Sequence, residues 1–403
     1  MKLSSRAGRR LAASLVVGAL VLGACGDDDE DSSSETTAAA ETTAASETTA
    51  ASETTMGSET TAASEGPLAG LAEECQAEGK VNLIALPDEW ANYKGILASF
   101  GEKYGVDHPV QNPNASSQEE LDAIVNLAGQ DDMPDSIDVS PAKAQIAIDE
   151  GLWEPYQPTT WDEIPDNLKD PDGNWIAAYY GVMAIGTNTT IVPNAPETWA
   201  DLKKPEYEGQ VALNGDPRTS GSAFAAVMAA SFANGGSADD IMPGIEFFAE
   251  LKASGNLIPT EVTQATVISG ETPIALDWSY NYPGLAAAIE DAGYTIDINF
   301  PSDGVYGGYY SQGVVKGSPH QACAKLWVEH ILSNEGALGY LEGGAMPARF
   351  AELEAAGLID EEASKNLPPA DLLAEVSFLT AEQVDAANTL LQENWGPMVA
   401  DAG

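Results

Sequence analysis

Val211-Ala212-Leu213-Asn214-Gly215-Asp216-Pro217-Arg218-Thr219-Ser220-Gly221-Ser222 starts as a short apolar run and ends where an Ala-rich helix opens. An apolar run of this length, closed by Gly and Pro, predicts a buried strand; Ser and Thr before a helical stretch predict its first turn. The same alternation recurs on both sides. Val81-Asn82-Leu83-Ile84-Ala85-Leu86 is bounded by Gly79 and Pro87, and Trp90, Tyr93, Ile96, Leu97, Phe100 and Tyr104 then follow at helical spacing. Ser136-Ile137-Asp138-Val139 leads to a helix that opens near Pro141, and Thr272-Pro273-Ile274-Ala275-Leu276 ends in Asp277-Trp278. Strand–helix alternation of this kind predicts an α/β fold with mainly parallel sheet. Ligands of such sheets sit beyond the carboxyl ends of the strands. That rule points to the loops 88–90, 138–140, 216–222 and 277–281.

The 403-residue chain holds 63 acidic against 17 basic residues, a formal net charge of -46. Such a chain repels phosphate backbones, so nucleic acid is excluded as a partner. With 44% hydrophobic residues, eight Trp and 13 Tyr, it is far too apolar to be disordered throughout.

The first 66 residues stand apart. Lys2, Arg6, Arg9 and Arg10 precede an apolar run from Leu11 to Leu22, and Leu22-Gly23-Ala24-Cys25 follows. A basic start, a short apolar run and small residues before a cut describe a secretory signal over 1–24; the run is too short for a comfortable membrane span. Leu-Gly-Ala-Cys resembles the lipobox of bacterial lipoproteins, which implies lipidation of Cys25. From 25 to 66 the chain is built of Asp, Ser, Glu, Thr and Ala, with Glu35, Glu41, Glu47, Glu53, Glu59 and Glu65 recurring every six residues. That period fits neither a helix face nor a strand, so the segment reads as a self-repelling tether with a reach on the order of 35 Å. The remaining cysteines are Cys75 and Cys323. In an oxidising compartment two such residues often pair; the alternative is two separately buried thiols.

The globular part resembles the extracellular solute-binding proteins of bacterial ABC importers, in the group serving iron(III), thiamine and polyamines. The matching pieces, in order, are GKVNLIALPDEW at 79–90, FGEKYGV at 100–106, GLWEPY at 151–156, PETWADLKKPEYEGQVAL at 196–213, SGETPIALDW at 269–278 and YYSQGVVKGSPHQACAKLWVEHILSNEG at 309–336. The resemblance implies a two-lobed type II periplasmic-binding fold, with mixed or parallel sheets flanked by helices and a ligand cleft between the lobes. Lobe 1 would be discontinuous, 67–182 plus 304–403, with 183–303 as lobe 2 and crossings near 179–181 and 305–310. It also implies a monomer without cofactor that hands a small molecule to a membrane permease, extracytoplasmic and lipid-anchored to the membrane's outer face.

The loops at the expected cleft are acidic and aromatic: Asp88, Glu89, Trp90, Asp138, Asp277, Trp278 and Tyr280, with Tyr179, Tyr180, Tyr309 and Tyr310 near the expected crossings. Carboxylates pair with ammonium groups and aromatic faces attract cations, so the set favours a small organic cation such as a polyamine or thiamine. Each residue has a plainer reading. Trp90 and Tyr93 fall on the apolar stripe of a helix, and Asp88 and Asp138 stand where an Asp often caps one. Arg218 and Ser220 open a helix with free N–H groups, a place for an anionic group on the ligand or an ordinary capped start. Tyr309-Tyr310 resembles the adjacent tyrosines of ferric-ion binders, which makes an iron receptor the alternative. The doublet also runs into an apparent crossing strand at 311–315, where Tyr is a good strand residue. A lipid-anchored hydrolase is the remaining class. The sequence has no His-Glu-x-x-His, Gly-x-Ser-x-Gly, Cys-x-x-Cys or phosphate loop, and only three histidines.

Overall fold

The computed structural model describes residues 66–401, apart from 67, 361–363 and 377. Cys25 and the repeats, where the signal, the lipidation and the tether are expected, lie outside the described residues.

The strands are β1 (Leu83–Ile84), β2 (Val110–Gln111), β3 (Ser136–Val139), β4 (Trp153–Glu154), β5 (Tyr179–Asn188), β6 (Val211–Leu213), β7 (Ile274–Trp278), β8 (Ile296–Asn299), β9 (Gly307–Tyr309), β10 (Ser311–Val315) and β11 (Met346–Pro347). Helices α1 (Ala69–Glu78), α2 (Tyr93–Tyr104), α3 (Ser117–Asn126), α4 (Pro141–Asp149), α5 (Gly221–Ala233) and α6 (Met242–Ser254) alternate with them, and the helices Gln321–Leu332, Asn334–Glu342 and Ala381–Trp395 follow. Two larger sheets result. One has the order β3-β10-β4; the other runs β11-β5-β7-β6, with β8 and β9 also paired to β5.

The long strand β5 links them. Just before it, Ile176 and Gln312 exchange backbone hydrogen bonds of 2.8 and 2.7 Å in the first sheet. Its start pairs with β9 (Tyr180 opposite Tyr309), and its end pairs with β7 (Met183 opposite Trp278 through Thr187 opposite Ile274). The chain returns through β9 into β10, which pairs with β3 so that Gln312 stands opposite Asp138. These pairings are antiparallel, whereas β6–β7 and β1–β2 are parallel. The sheets are therefore mixed rather than mainly parallel: two excursions between sheets in opposite directions set β5 and β10 antiparallel to their neighbours.

Packing holds the strand ends in place. From Ser222 to Ser231 α5 is buried all the way round, as expected of an apolar helix covered on several sides. It touches α6 closely at Gly244, where a Cβ would stand 2.0 Å from the Val227 carbonyl oxygen. Cys75 on α1 and Cys323 on the helix Gln321–Leu332 are joined by a disulfide with their Cα atoms 4.4 Å apart. The end of α1 also caps that helix, since Glu78 accepts from the backbone N–H groups of Ala322 (3.1 Å) and Cys323 (2.9 Å). Among the described residues no helix is long and apolar enough to cross a membrane.

Candidate functional site: an acidic cleft floored by two buried carboxylates

A cavity of about 350 Å³ opens where the ends of both sheets face each other. One wall comes from Pro87, Glu89 and Trp90 after β1, residues 113–117, 119 and 120 leading into α3, and Asp138 in β3. The other comes from Asn214–Asp216 and Thr219–Ser222 after β6, residues 261–264, Asp277 in β7, and Asn281, Tyr282 and Leu285 after it. Tyr310 contributes from the returning crossing. Glu89, Glu119, Glu120, Asp138, Asp216, Glu261 and Asp277 all line the cavity, and among the described residues no Lys, Arg or His does.

Asp138 is buried, and its Oδ2 accepts from the hydroxyls of Tyr93 (2.7 Å) and Tyr179 (3.3 Å). Those tyrosines are themselves held: Trp90 Nε1 donates to Tyr179 Oη at 2.7 Å, and Gln312 Nε2 to Tyr93 Oη at 2.5 Å. Burial pushes the Asp138 carboxyl up to about 7, against the pull of the donors from Tyr93, Gln312 and Tyr179. Glu120 lies behind it, accepting the Asp138 backbone N–H at 2.9 Å; burial, then the nearby Asp138 charge, raises it well above the carboxylate range. Across the cleft, Asp277 accepts from the Trp278 N–H (2.8 Å) and from Asn214 Nδ2 (2.9 Å). Burial raises it to about 6, opposed by hydrogen bonds from Asn281, Trp278, Asn214 and Ser222. Neither carboxylate has an ion-pair partner among the described residues. Asp138 Oδ1, Gln312 Oε1, Tyr280 Oη and Asn281 Oδ1 are buried and find no hydrogen-bond partner among them.

Aromatic rings surround this floor. Trp90 lies 5.6 Å from Tyr280 and edge-on to Tyr310 at 5.4 Å, and Tyr280 stacks on Trp278 at 6.0 Å. Ring pairs at such separations favour tilted or edge geometries and fix one another's orientation.

The structure brings Glu89, Trp90, Asp138, Ser220, Asp277 and Tyr310 together on this cleft. It places others elsewhere. Asp88 is exposed and does not line the cavity. Tyr280 and Trp278 are buried and do not line this cavity; Trp278 lines a neighbouring one instead. Trp90 precedes α2 rather than riding on it, because Ala91 and Asn92 take left-handed φ values of 46 and 60 and the helix starts at Tyr93. Arg218 is engaged by its own loop: its Nε and Nη2 reach Asp216 at 3.0 and 2.5 Å. It lines a second, neighbouring cavity. Ser220 caps α5, accepting from Ala223 N at 3.3 Å and donating to the Asn214 carbonyl at 2.5 Å. Tyr309 stacks on Trp175 at 5.6 Å and faces the second cavity, while Tyr310 borders both. His330 sits buried among Phe100, Tyr104 and Trp327.

Sequence reasoning passed over Glu120 and Asn214, and reached Asn281 only as the end of the loop 277–281. Glu120 had a signal: with Ser117, Leu121 and Ile124 it shares the face of α3 that becomes buried, an acid at apolar spacing.

Residues 131–373, more than half of the chain, match the family model described as bacterial extracellular solute-binding protein. The chain is 26% identical over 181 residues to a probable ABC transporter periplasmic-binding protein of Sinorhizobium fredii, covering 42% of this chain and 48% of that protein. It is 28% identical over 147 residues to the spermidine/putrescine-binding periplasmic protein of Escherichia coli, covering 35% and 40%. The matches thus span less than half the length of each of these relatives. The crystal structure of an ABC transporter substrate-binding protein from Bradyrhizobium japonicum superimposes with a TM-score of 0.61 at 15% identity, over 78% of this chain and 99% of that one. The fold is that of the two-lobed type II periplasmic-binding proteins, with the cleft between the lobes. The chain belongs to the bacterial extracellular solute-binding proteins, a family of transport receptors rather than of enzymes.

Proposed function

We propose that this protein is the substrate-binding component of an ABC importer, and that it captures a small organic cation bearing N–H donors, a polyamine first and thiamine second. The observation that carries this reading is the pair Asp138 and Asp277. They come from different sheets, are both buried, are bonded only to neutral donors, and face one cavity that no described basic residue lines. An ammonium group placed between them supplies the missing positive charge. Its N–H bonds suit the unpartnered oxygens of Asp138 and Asn281, which line the cavity. The rings of Trp90 and Tyr310 add cation–π attraction, about 0.5–2 kcal/mol each. The name of the spermidine/putrescine-binding relative points the same way.

Residues 67–182 and 304–403 form one lobe in this reading, 183–303 the other, and the chain works as a monomer. Contacts from both lobes favour the closed state, which a membrane permease recognises. The Cys25 lipid holds the domain at the outer face of the membrane on the 25–66 tether after removal of 1–24, and the oxidised Cys75–Cys323 pair fits that compartment.

A thermal-shift screen tests the ligand class, with the protein refolded to strip carried ligand and offered putrescine, spermidine, thiamine, thiamine phosphate and ferric citrate. A ligand at a thousand times its dissociation constant adds about 4 kcal/mol of stability. A shift with an amine supports the reading. A shift with ferric citrate alone moves the site to Tyr309 and Tyr310, and no shift with any compound overturns the cationic class.

A further inference from the structure

A second cavity, of about 500 Å³, lies beside the cleft and shares Thr219, Ser220, Gly221 and Tyr310 with it. Its walls are the first turns of α4 and α5 and the crossing residues Tyr306–Tyr310, and the C-terminal helix Ala381–Trp395 closes it. That helix packs on both α4 and α6. Gln392 Nε2 donates to the Arg218 carbonyl at 3.1 Å, and the Trp395 ring meets Phe248 at 5.8 Å. The cavity is therefore enclosed from several sides.

Its chemistry differs from that of the cleft. The interior is apolar and aromatic, with Phe224, Trp278, Tyr309 and Phe378 on the walls. The rim carries cations, which the cleft lacks. Arg218 is committed to Asp216, but Lys143 is half-buried and donates only to the neutral Gln118 Oε1 at 2.7 Å. No carboxylate among the described residues lies within ion-pair distance of it; Asp122 is the acid that acts on it electrostatically, and Asp385 on the C-terminal helix faces the cavity from an exposed position. A half-buried ammonium bonded to one neutral amide is a place for an anionic group.

We propose that this cavity is a second ligand site, taking a small molecule with a flat apolar body and a single carboxylate or sulfonate head set against Lys143. The body fills the space between the Phe224 and Tyr309 walls, and the head stays at the rim. The chemistry proposed for this cavity does not rest on the identity of the ligand in the acidic cleft.

The test uses the whole protein and two probes of similar shape: 8-anilinonaphthalene-1-sulfonate, which is anionic, and the neutral N-phenyl-1-naphthylamine. Fluorescence titration is expected to show one saturable sulfonate site per chain. Lys143→Gln should weaken the sulfonate about fivefold, the loss of one partly exposed charge pair, and leave the neutral probe unchanged. Asn388→Trp fills the cavity from the C-terminal helix and Ala142→Trp from α4; either should abolish binding of both probes in a chain that still melts cooperatively. Asp277→Asn should leave sulfonate binding intact. Crystals soaked in the sulfonate give a readout that needs no variant. Absence of saturable binding overturns the proposal, as does an unchanged sulfonate affinity in Lys143→Gln or in both filled variants. Its loss in Asp277→Asn, or a naphthalene located in the acidic cleft, overturns it equally.

Discussion

Tyr93 and Asp138, 45 residues apart in the chain, meet through a buried hydroxyl-to-carboxylate hydrogen bond of 2.7 Å. The bond fixes one oxygen of Asp138 and leaves Oδ1 without a partner among the described residues. A carboxylate oriented by tyrosines is a different instrument from one neutralised by an arginine. The hydroxyls hold its direction without cancelling its charge, so the ion remains for a ligand to complete.

Removing the charge should therefore separate binding from stability. In Asp277→Asn and in Asp138→Asn, spermidine or putrescine affinity is expected to fall at least about tenfold, the effect of about 1.4 kcal/mol from one lost charge-assisted contact. The ligand-free protein should melt no lower than wild type at pH 8, because a buried unpaired carboxylate costs free energy that the amide does not. Calorimetric titration and melting curves on the same samples check both halves. Unchanged affinity in either variant removes that residue from the site.

The same burial sets a pH dependence with a definite sign. Asp138 is pushed up to about 7 and Asp277 to about 6, both above the unfolded value of about 4. A carboxyl whose pKa is raised by folding binds its proton more tightly in the native state. The stability it contributes is full below about pH 4 and is lost as pH rises through 6 and 7. The ligand-free melting temperature of wild type should thus fall relative to that of Asp138→Asn between pH 5 and pH 8. Amine binding should change in the opposite sense, tightening over that window as the carboxylates ionise. Near pH 6.5 it should release protons, seen as a binding enthalpy that varies with the buffer's ionisation heat. An amine affinity flat from pH 5 to 8 would contradict the role of both residues.

Much of this arrangement was readable because it follows from strand ends. Asp138 and Asp277 stand in the strands Ser136–Val139 and Ile274–Trp278, where the run of apolar residues and its polar ending are local features of sequence. What surrounds them was not local. Gln312 stands opposite Asp138 because the returning crossing pairs β10 with β3, Tyr179 reaches it from the start of β5, and Tyr93 from the first turn of α2. Trp90 looked like a helix residue because apolar spacing says nothing of the left-handed turn at Ala91 and Asn92, conformations that propensity disfavours. Arg218 offered itself to an anionic group because it stands at a helix opening, while the carboxylate that occupies it stands two residues earlier in the same loop.

The Cys75–Cys323 bridge should matter for endurance and not for recognition. It closes a loop of 248 residues, worth about 5 kcal/mol in the chain-entropy view. It joins α1 to the helix Gln321–Leu332, and neither element lines the acidic cleft. Reduction, or Cys75→Ala with Cys323→Ala, is expected to lower the melting temperature by several degrees and leave amine affinity within about twofold. Thiol titration under denaturing, non-reducing conditions should find Cys75 and Cys323 unreactive until a reductant is added.

A steric prediction concerns Gly221, which lines the cleft and packs against Ser140 and Tyr310. A Cβ there would stand 3.0 Å from Tyr310 Oη and 3.1 Å from the Cβ of Ser140, contacts that force a neighbour to give way. Ser140 begins the turn into α4 and Tyr310 lies between β9 and β10, whereas Gly221 is the first residue of α5. A branched side chain at 221 therefore pushes against the partners across the cleft, while the interior of α5 and its contact with α6 are untouched. Gly221→Val should fold, retain a cooperative melt within a few degrees of wild type, and bind spermidine or putrescine at least about fivefold more weakly, because closure is opposed by about 1–3 kcal/mol of overpacking. Small-angle scattering gives the independent readout: saturating amine should contract wild type and contract Gly221→Val less. Equal contraction with equal affinity would mean that the Gly221–Ser140–Tyr310 approach does not limit closure.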